Sequence, residues 1–289
     1  MKQDAFSGCH PAVNFLFFVG AIGFGVVIQH PAYLAAGVIG AVVYYLLLTG
    51  KKGLKLIFGT LILFTLISLV NPLMNHYGKH VLFTCFGKPY TLEALCYGAA
   101  LGAIFVIMML WFGCYSIVLT SDKFTALFGN LIPALSLLLV MVLRMIPAFT
   151  RKARQILGAR RAIGKGVSQA RKLTDKARDG TTILSALTDW ALEGSIVTAD
   201  SMRSRGYGTG RRATFQIYRM TLRDWVLLVL ILGMEISVLL AGGTGAAFTP
   251  RIKLDSLSWG FIVYCFFLLI PTILHIKEVI TWRILRSAI

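Results

Sequence analysis

The sequence predicts an all-α polytopic membrane protein of about six transmembrane helices, with a cytoplasmic helical domain inserted between spans 4 and 5. Three observations predict it. Apolar residues make up 57% of the 289-residue chain. Only 14% of residues are charged, and the mean hydropathy is +0.75, the balance of a chain dissolved in lipid. The third observation is where the charge lies. The net charge is +17, and an even number of spans puts both termini on one side. With that side inside, Lys79, Lys88, Arg251 and Lys253 are the outer exceptions among 29 Lys and Arg. The positive-inside rule fixes that orientation. The expected location is the cell (plasma) membrane, multi-pass, with both termini and residues 120–221 cytoplasmic. So basic a chain could also serve nucleic acid, but basic excess on the inner face is the default for a membrane protein. The lipid bilayer is therefore an expected partner and nucleic acid is not.

Taken in order, the apolar runs are Val13–Ile28, closed by Gln29-His30-Pro31, and Ala32–Leu48, closed by the basic turn Gly50-Lys51-Lys52-Gly53. Leu54–Val70 follows and is expected to end at Asn71-Pro72. A polar outer loop runs from Asn75 to Tyr90. Leu92–Leu119 exceeds the roughly 20 residues that a bilayer needs, so it tilts or projects. Val226–Ala241 and Leu257–Leu274 close the chain. The domains are thus 1–119, an N-terminal membrane domain of about four spans; 120–221, the cytoplasmic and interfacial insert; and 222–289, a membrane hairpin and tail.

Within the insert, Leu131–Phe149 is greasy yet carries Pro133, Arg144 and Pro147. An arginine so placed is costly in a span, so this segment is expected to lie at the inner interface with an apolar face free for another membrane protein. Arg151–Arg178 is a basic helical stretch broken near Gly164-Lys165-Gly166. Thr181–Arg205 is an amphipathic helix about 35 Å long, with Ile183, Leu187, Trp190, Gly194 and Val197 at helical spacing. Gly206, Gly208 and Gly210 end it, which places Arg203 and Arg205 where the macrodipole favours a cation and a glycine takes the left-handed cap.

Much chemistry is missing. Gly158 and Gly164 are separated by five residues where a Walker A loop needs four, and Gly166 stands where Ser or Thr would hold magnesium. No cofactor and no metal are expected in this chain. His76 and His80 make a weak metal pair without a carboxylate. Cys9, Cys85, Cys96, Cys114 and Cys265 have no C-x-x-C spacing and read as small core residues. Met1–Pro11 is short and polar, unlike a secretory leader. Glu235 is an acid deep inside a span, a default functional candidate that equally suits a helix–helix hydrogen bond.

The order of parts resembles a known family, the transmembrane T component of energy-coupling factor (ECF) transporters, which includes the cobalt-transport T protein. The resemblance rests on His10-Pro11-Ala12-Val13-Asn14, Asn71-Pro72-Leu73-Met74-Asn75-His76 and Thr91-Leu92-Glu93-Ala94-Leu95. It continues through Thr120-Ser121-Asp122-Lys123-Phe124, Leu127-Phe128-Gly129 and Leu143-Arg144-Met145-Ile146-Pro147. Its most specific part is Thr198-Ala199-Asp200-Ser201-Met202 running into Ser204-Arg205-Gly206-Tyr207-Gly208.

The resemblance implies a non-enzymatic coupling subunit of an importer for a vitamin or metal ion. Two cytosolic ABC-type ATPases would bind the ATP, and a small membrane S component would bind the cargo. In that family two coupling helices end in Ala-Arg-Gly-like motifs whose arginines dock on the ATPases. The second motif maps onto Ser204-Arg205-Gly206, with Arg203 beside it. The first falls on Arg161-Ala162-Ile163-Gly164 and puts Ile163 in the arginine's place, so Arg160, Arg161 or Lys165 carries that contact, or apolar packing does. Leu137, Leu138 and Met141 on the interfacial helix are the expected S-component contact. Two other readings stand beside this one. A membrane-embedded lipid-phosphate enzyme would use Arg160, Arg161, Arg203 and Arg205 as an anion clamp, and a stand-alone secondary transporter would use Glu235.

Overall fold

The computed structural model describes residues 5–75, 78, 80–85, 88–128, 133–164, 173–210, 218–247 and 253–287. Its elements are α1 (Pro11–Val27), α2 (Pro31–Thr49), α3 (Leu54–Met74), β1 (Val81–Cys85), β2 (Lys88–Thr91), α4 (Leu92–Val118), α5 (Ser121–Phe128), α6 (Pro133–Ala162), α7 (Leu173–Ser204), α8 (Leu222–Ala241), β3 (Ala246–Ala247), β4 (Lys253–Leu254) and α9 (Trp259–Ser287). The chain divides into two compact units, residues 1–124 with 218–289, and residues 125–217.

The first unit holds the long apolar helices. Four helical stretches are long and apolar enough to cross a bilayer: Pro31–Met74, Leu92–Val118, Leu222–Ala241 and Trp259–Trp282. The first of them contains α2 and α3, joined by a 3-10 turn at Gly50–Gly53. The apolar α1 is shorter, at 17 residues.

One device starts both α1 and α2. His10 and His30 each accept the N–H of the alanine two residues on at Nδ1, at 3.2 Å, and proline fills the first helical position of each. Proline there costs no hydrogen bond, because that N–H has no partner in the helix. Thr91 caps α4 through Ala94, and Thr221 with Asp224 makes a capping box on α8.

The core of this unit is aromatic. Phe17 stacks edge-on against Trp111 at 5.5 Å and lies tilted on Phe267 at 4.9 Å, while Phe6 closes the cluster from the N-terminal turn. These rings join α1, α4 and α9 at one level. Tyr33, Tyr264 and Phe24 do the same at another for α1, α2 and α9.

α3 lies antiparallel along α4. A Cβ on Gly98 would come within 2.7 Å of Asn71 Cβ and 2.9 Å of the Ser68 carbonyl oxygen, and one on Gly102 within 3.1 Å of the Phe64 carbonyl oxygen. Close approach through small residues one helical turn apart is how helices associate in lipid, where apolar burial between them gives no net drive. The large side chains that remain outward, such as Phe58 at 65% and Leu239 at 68% exposure, suit lipid contact.

Three expectations need correction. The fold is mostly helical, as expected of an all-α membrane protein, but the connection between α3 and α4, read as a polar loop, holds the antiparallel hairpin β1–β2, and β3 pairs with β4. The run Val81-Leu82-Phe83-Thr84-Cys85 is β-branched and aromatic, which favours a strand over a polar loop. α3 continues past Asn71-Pro72 to Met74, since Asn75 N–H still reaches the Asn71 carbonyl at 2.9 Å. The insert is partitioned differently too. Arg151–Ala162 continues the greasy segment as one helix, α6, while Leu173–Arg178 belongs to α7.

At the ends of α1, α4 and α8 the first unit buries polar side chains that sequence reasoning passed over. Lys123 is buried and donates from Nζ to the Ser7 carbonyl, to Ser7 Oγ at 2.9 Å and to the Val118 carbonyl at 2.9 Å. It thereby satisfies one of the carbonyls left over at the end of α4. Asp224 accepts from His10 N–H at 3.1 Å and from Thr221 N–H and Oγ at 3.0 and 2.7 Å, tying the start of α8 to the start of α1.

Candidate functional site: two capped helix ends

The second unit is built on α6 and α7. Phe149 meets Trp190 edge-on at 5.4 Å, with Lys152 over the same indole at 5.8 Å. Arg160 donates from Nη2 to Asp179 Oδ1, a salt bridge with side chains 18% and 22% exposed. As one helix advances from 149 to 160 the other retreats from 190 to 179, so the two are antiparallel. At 1.5 Å per residue each C-terminal end lies roughly 20 Å beyond the Phe149–Trp190 contact, in opposite directions. The two ends therefore stand about 40 Å apart.

The end of α7 is a Schellman cap. Gly206 N–H bonds to the Arg203 carbonyl at 3.0 Å, Tyr207 N–H to the Met202 carbonyl at 3.0 Å, and Gly206 has φ 80. The pattern makes Arg205 the C-cap residue, its own N–H bonded to the Ser201 carbonyl at 3.2 Å. Arg203, Ser204, Arg205 and Gly206 are all exposed. Two guanidinium groups thus stand exposed on a backbone whose Ser201, Met202 and Arg203 carbonyls are already bonded.

The end of α6 shares two of these bonds and the positive φ. Gly164 has φ 74, its N–H bonds to the Arg161 carbonyl at 3.1 Å, and Ile163 N–H bonds to the Ala159 carbonyl at 3.4 Å. Residue for residue, Gly164 matches Gly206, Ile163 matches Arg205, Ala162 matches Ser204 and Arg161 matches Arg203. Arg161, Ala162, Ile163 and Gly164 are exposed, and Ile163 is 70% exposed. Arg160 belongs instead to the contact with α7. Lys165 lies outside the described residues.

The chain matches no protein-family model and no curated protein.

The geometry of the helix ends separates the predicted residues into two groups. Ser204, Arg205, Gly206 and Arg203 stand at one end of the pair, with Arg161, Ala162 and Gly164 at the other. An anion clamp that needs both groups around one phosphate does not form across about 40 Å. Leu137 and Met141 are half-buried and Leu138 is 57% exposed; all three lie on the first half of α6, at the Arg205 end. Among the described residues no three His, Cys, Asp or Glu converge as metal ligands. His76 lies outside the described residues, while His80 N–H lies 3.3 Å from both Glu93 carboxylate oxygens.

Glu235 sits in α8 against Gly20 of α1, where a Cβ on Gly20 would fall 2.0 Å from Glu235 Oε1. That oxygen is buried without a hydrogen-bond partner among the described residues. Sequence reasoning missed Asp179 as the anchor of Arg160. The spacing of Trp190 on the apolar face of its helix was the available signal for the crossing point.

Proposed function

We propose that this protein is the transmembrane coupling subunit of an ECF-type importer, passing the motion of two cytosolic ATPases to a small membrane S component that carries a vitamin or metal ion. The reading includes about six spans with α6 and α7 on the cytoplasmic side of the cell membrane, and no catalytic site in this chain; the ATPases bind the ATP. One observation carries it: two antiparallel helices end in matching glycine caps about 40 Å apart, with Arg205 held outward at one of them.

An arginine fixed on a capped helix loses less freedom on docking than one on a loop, and its planar fork suits a bidentate carboxylate. Two ends so far apart suit two separate partners better than one small ligand. α6 adds a second support. Its first half carries Leu137, Leu138 and Met141 and its far end carries the first docking motif, on one continuous helix. A push at the ATPase end reaches the S-component contact without passing through a loop.

Co-purification from the native membrane tests the reading. Two ATPase chains and a small apolar subunit with this protein support it; a lone protein that transports by itself refutes it. The orphaned carboxyl of Glu235 favours secondary transport as the second reading. Glu235→Gln would then abolish uptake by the isolated, reconstituted protein.

A further inference from the structure

We infer that Ile163 is itself the docking residue at the end of α6, inserting its side chain into an apolar groove of one ATPase where the other ATPase receives Arg205. The inference rests on the coupling-subunit reading and specifies the chemistry of one of its two contacts.

Three observations carry it. The caps of α6 and α7 share two hydrogen bonds, the glycine N–H to the carbonyl three residues back and the preceding N–H to the carbonyl four residues back, and Gly164 and Gly206 are both at positive φ, so Ile163 and Arg205 occupy the same C-cap position. A device that holds an arginine outward on one helix holds an isoleucine outward on the other. Ile163 is 70% exposed at the tip of the helix, where a branched alkyl group gains nothing from water and contributes nothing to packing between the helices. Finally, Arg160, a candidate substitute, is paired with Asp179 on α7. Using it for docking would break the salt bridge that holds the end of α6 to α7. Arg161 matches Arg203 rather than Arg205, so it flanks the contact and does not form its centre.

The two contacts then differ in kind. The Arg205 end depends on charge and weakens as salt rises. The Ile163 end depends on apolar burial, which salt leaves intact. A groove shaped for a branched alkyl group also rejects a guanidinium, because the charge would be buried without a partner.

The test uses the full complex purified with its ATPases, counted by native mass spectrometry. Ile163→Asp is expected to leave one ATPase bound in place of two, and Ile163→Ala to weaken that attachment about tenfold or more. Ile163→Leu should retain both ATPases, whereas Ile163→Arg should lose one. Because the side chain is exposed, these changes do not disturb the packing of α6 on α7. Retention of both ATPases by Ile163→Asp, or firm attachment by Ile163→Arg, overturns the inference. The broader reading fails separately, if Arg205→Ala combined with Ile163→Asp still holds two ATPases or if the unaltered protein holds none.

Discussion

Gly206 contributes no side chain to any partner, yet its replacement should weaken ATPase docking. Its φ of 80 is the left-handed conformation, which costs an ordinary L-residue about 1–2 kcal/mol. The cost is conformational and not a clash: an added Cβ would meet only Thr209 Oγ1, at 3.2 Å, and that side chain can turn. Gly206→Val therefore strains the Schellman cap by about 1–2 kcal/mol or more, and the last turn frays. Met202 and Arg203 lose the N–H groups that satisfy their carbonyls, and Arg205 is no longer held in one direction. If docking must restore the cap, the penalty appears in the binding constant as about five- to thirtyfold weaker association. Gly206→Asn is the control, because asparagine visits the left-handed region readily; it should recover most of the loss. The assay is ATPase association with the detergent-solubilised protein by surface-immobilised binding. Equal affinities for glycine, valine and asparagine at 206 would refute the argument that a rigid helix end is what docks.

Three further outcomes follow from the packing. Gly98→Leu should separate α3 from α4, because the Ser68 carbonyl that its Cβ meets is backbone and cannot rotate away; overpacking of this kind costs about 1–3 kcal/mol, read as a lowered melting temperature in detergent. Asp224→Ala removes an N-terminal cap and leaves His10 N–H without its acceptor, for a loss of about 2–4 kcal/mol in the same measurement. Leu138→Asn, at a position already 57% exposed, should leave the melting temperature unchanged and release the S component while both ATPases stay bound.

What the sequence made legible was governed by local physics. Apolar runs of fixed length marked α1, α2, α4 and α8 to within a few residues, since bilayer thickness sets them. Gly206 after Ser204-Arg205 announced a cap because few residues other than glycine take that conformation. Tertiary contacts were less visible. Nothing local to Lys123 indicates that its ammonium reaches back to Ser7, and Asp224 reads as a capping residue without any sign of His10. Pro72 was a poor guide to a helix end, because α3 continues past it, as α6 and α9 continue past Pro147 and Pro271. A proline removes one hydrogen bond, and packing can outweigh that loss. The split of the insert was misjudged because the change from apolar to basic residues after Phe149 looked like a boundary, whereas α6 runs through it. Gly98-x-x-x-Gly102, small-residue spacing on an apolar helix, marks the α3–α4 contact but went unread in the sequence.

The central claim is that Arg205 docks an ATPase from the end of α7. It is tested most directly by Arg205→Ala in the intact complex. Breaking a desolvated arginine–carboxylate pair costs about 2–5 kcal/mol, while an exposed C-cap side chain with its backbone bonds intact contributes little to folding. Native mass spectrometry should therefore show a folded membrane subunit that has lost one ATPase, and uptake in reconstituted vesicles should cease. Two ATPases retained at normal stability, with uptake unchanged, would contradict the account.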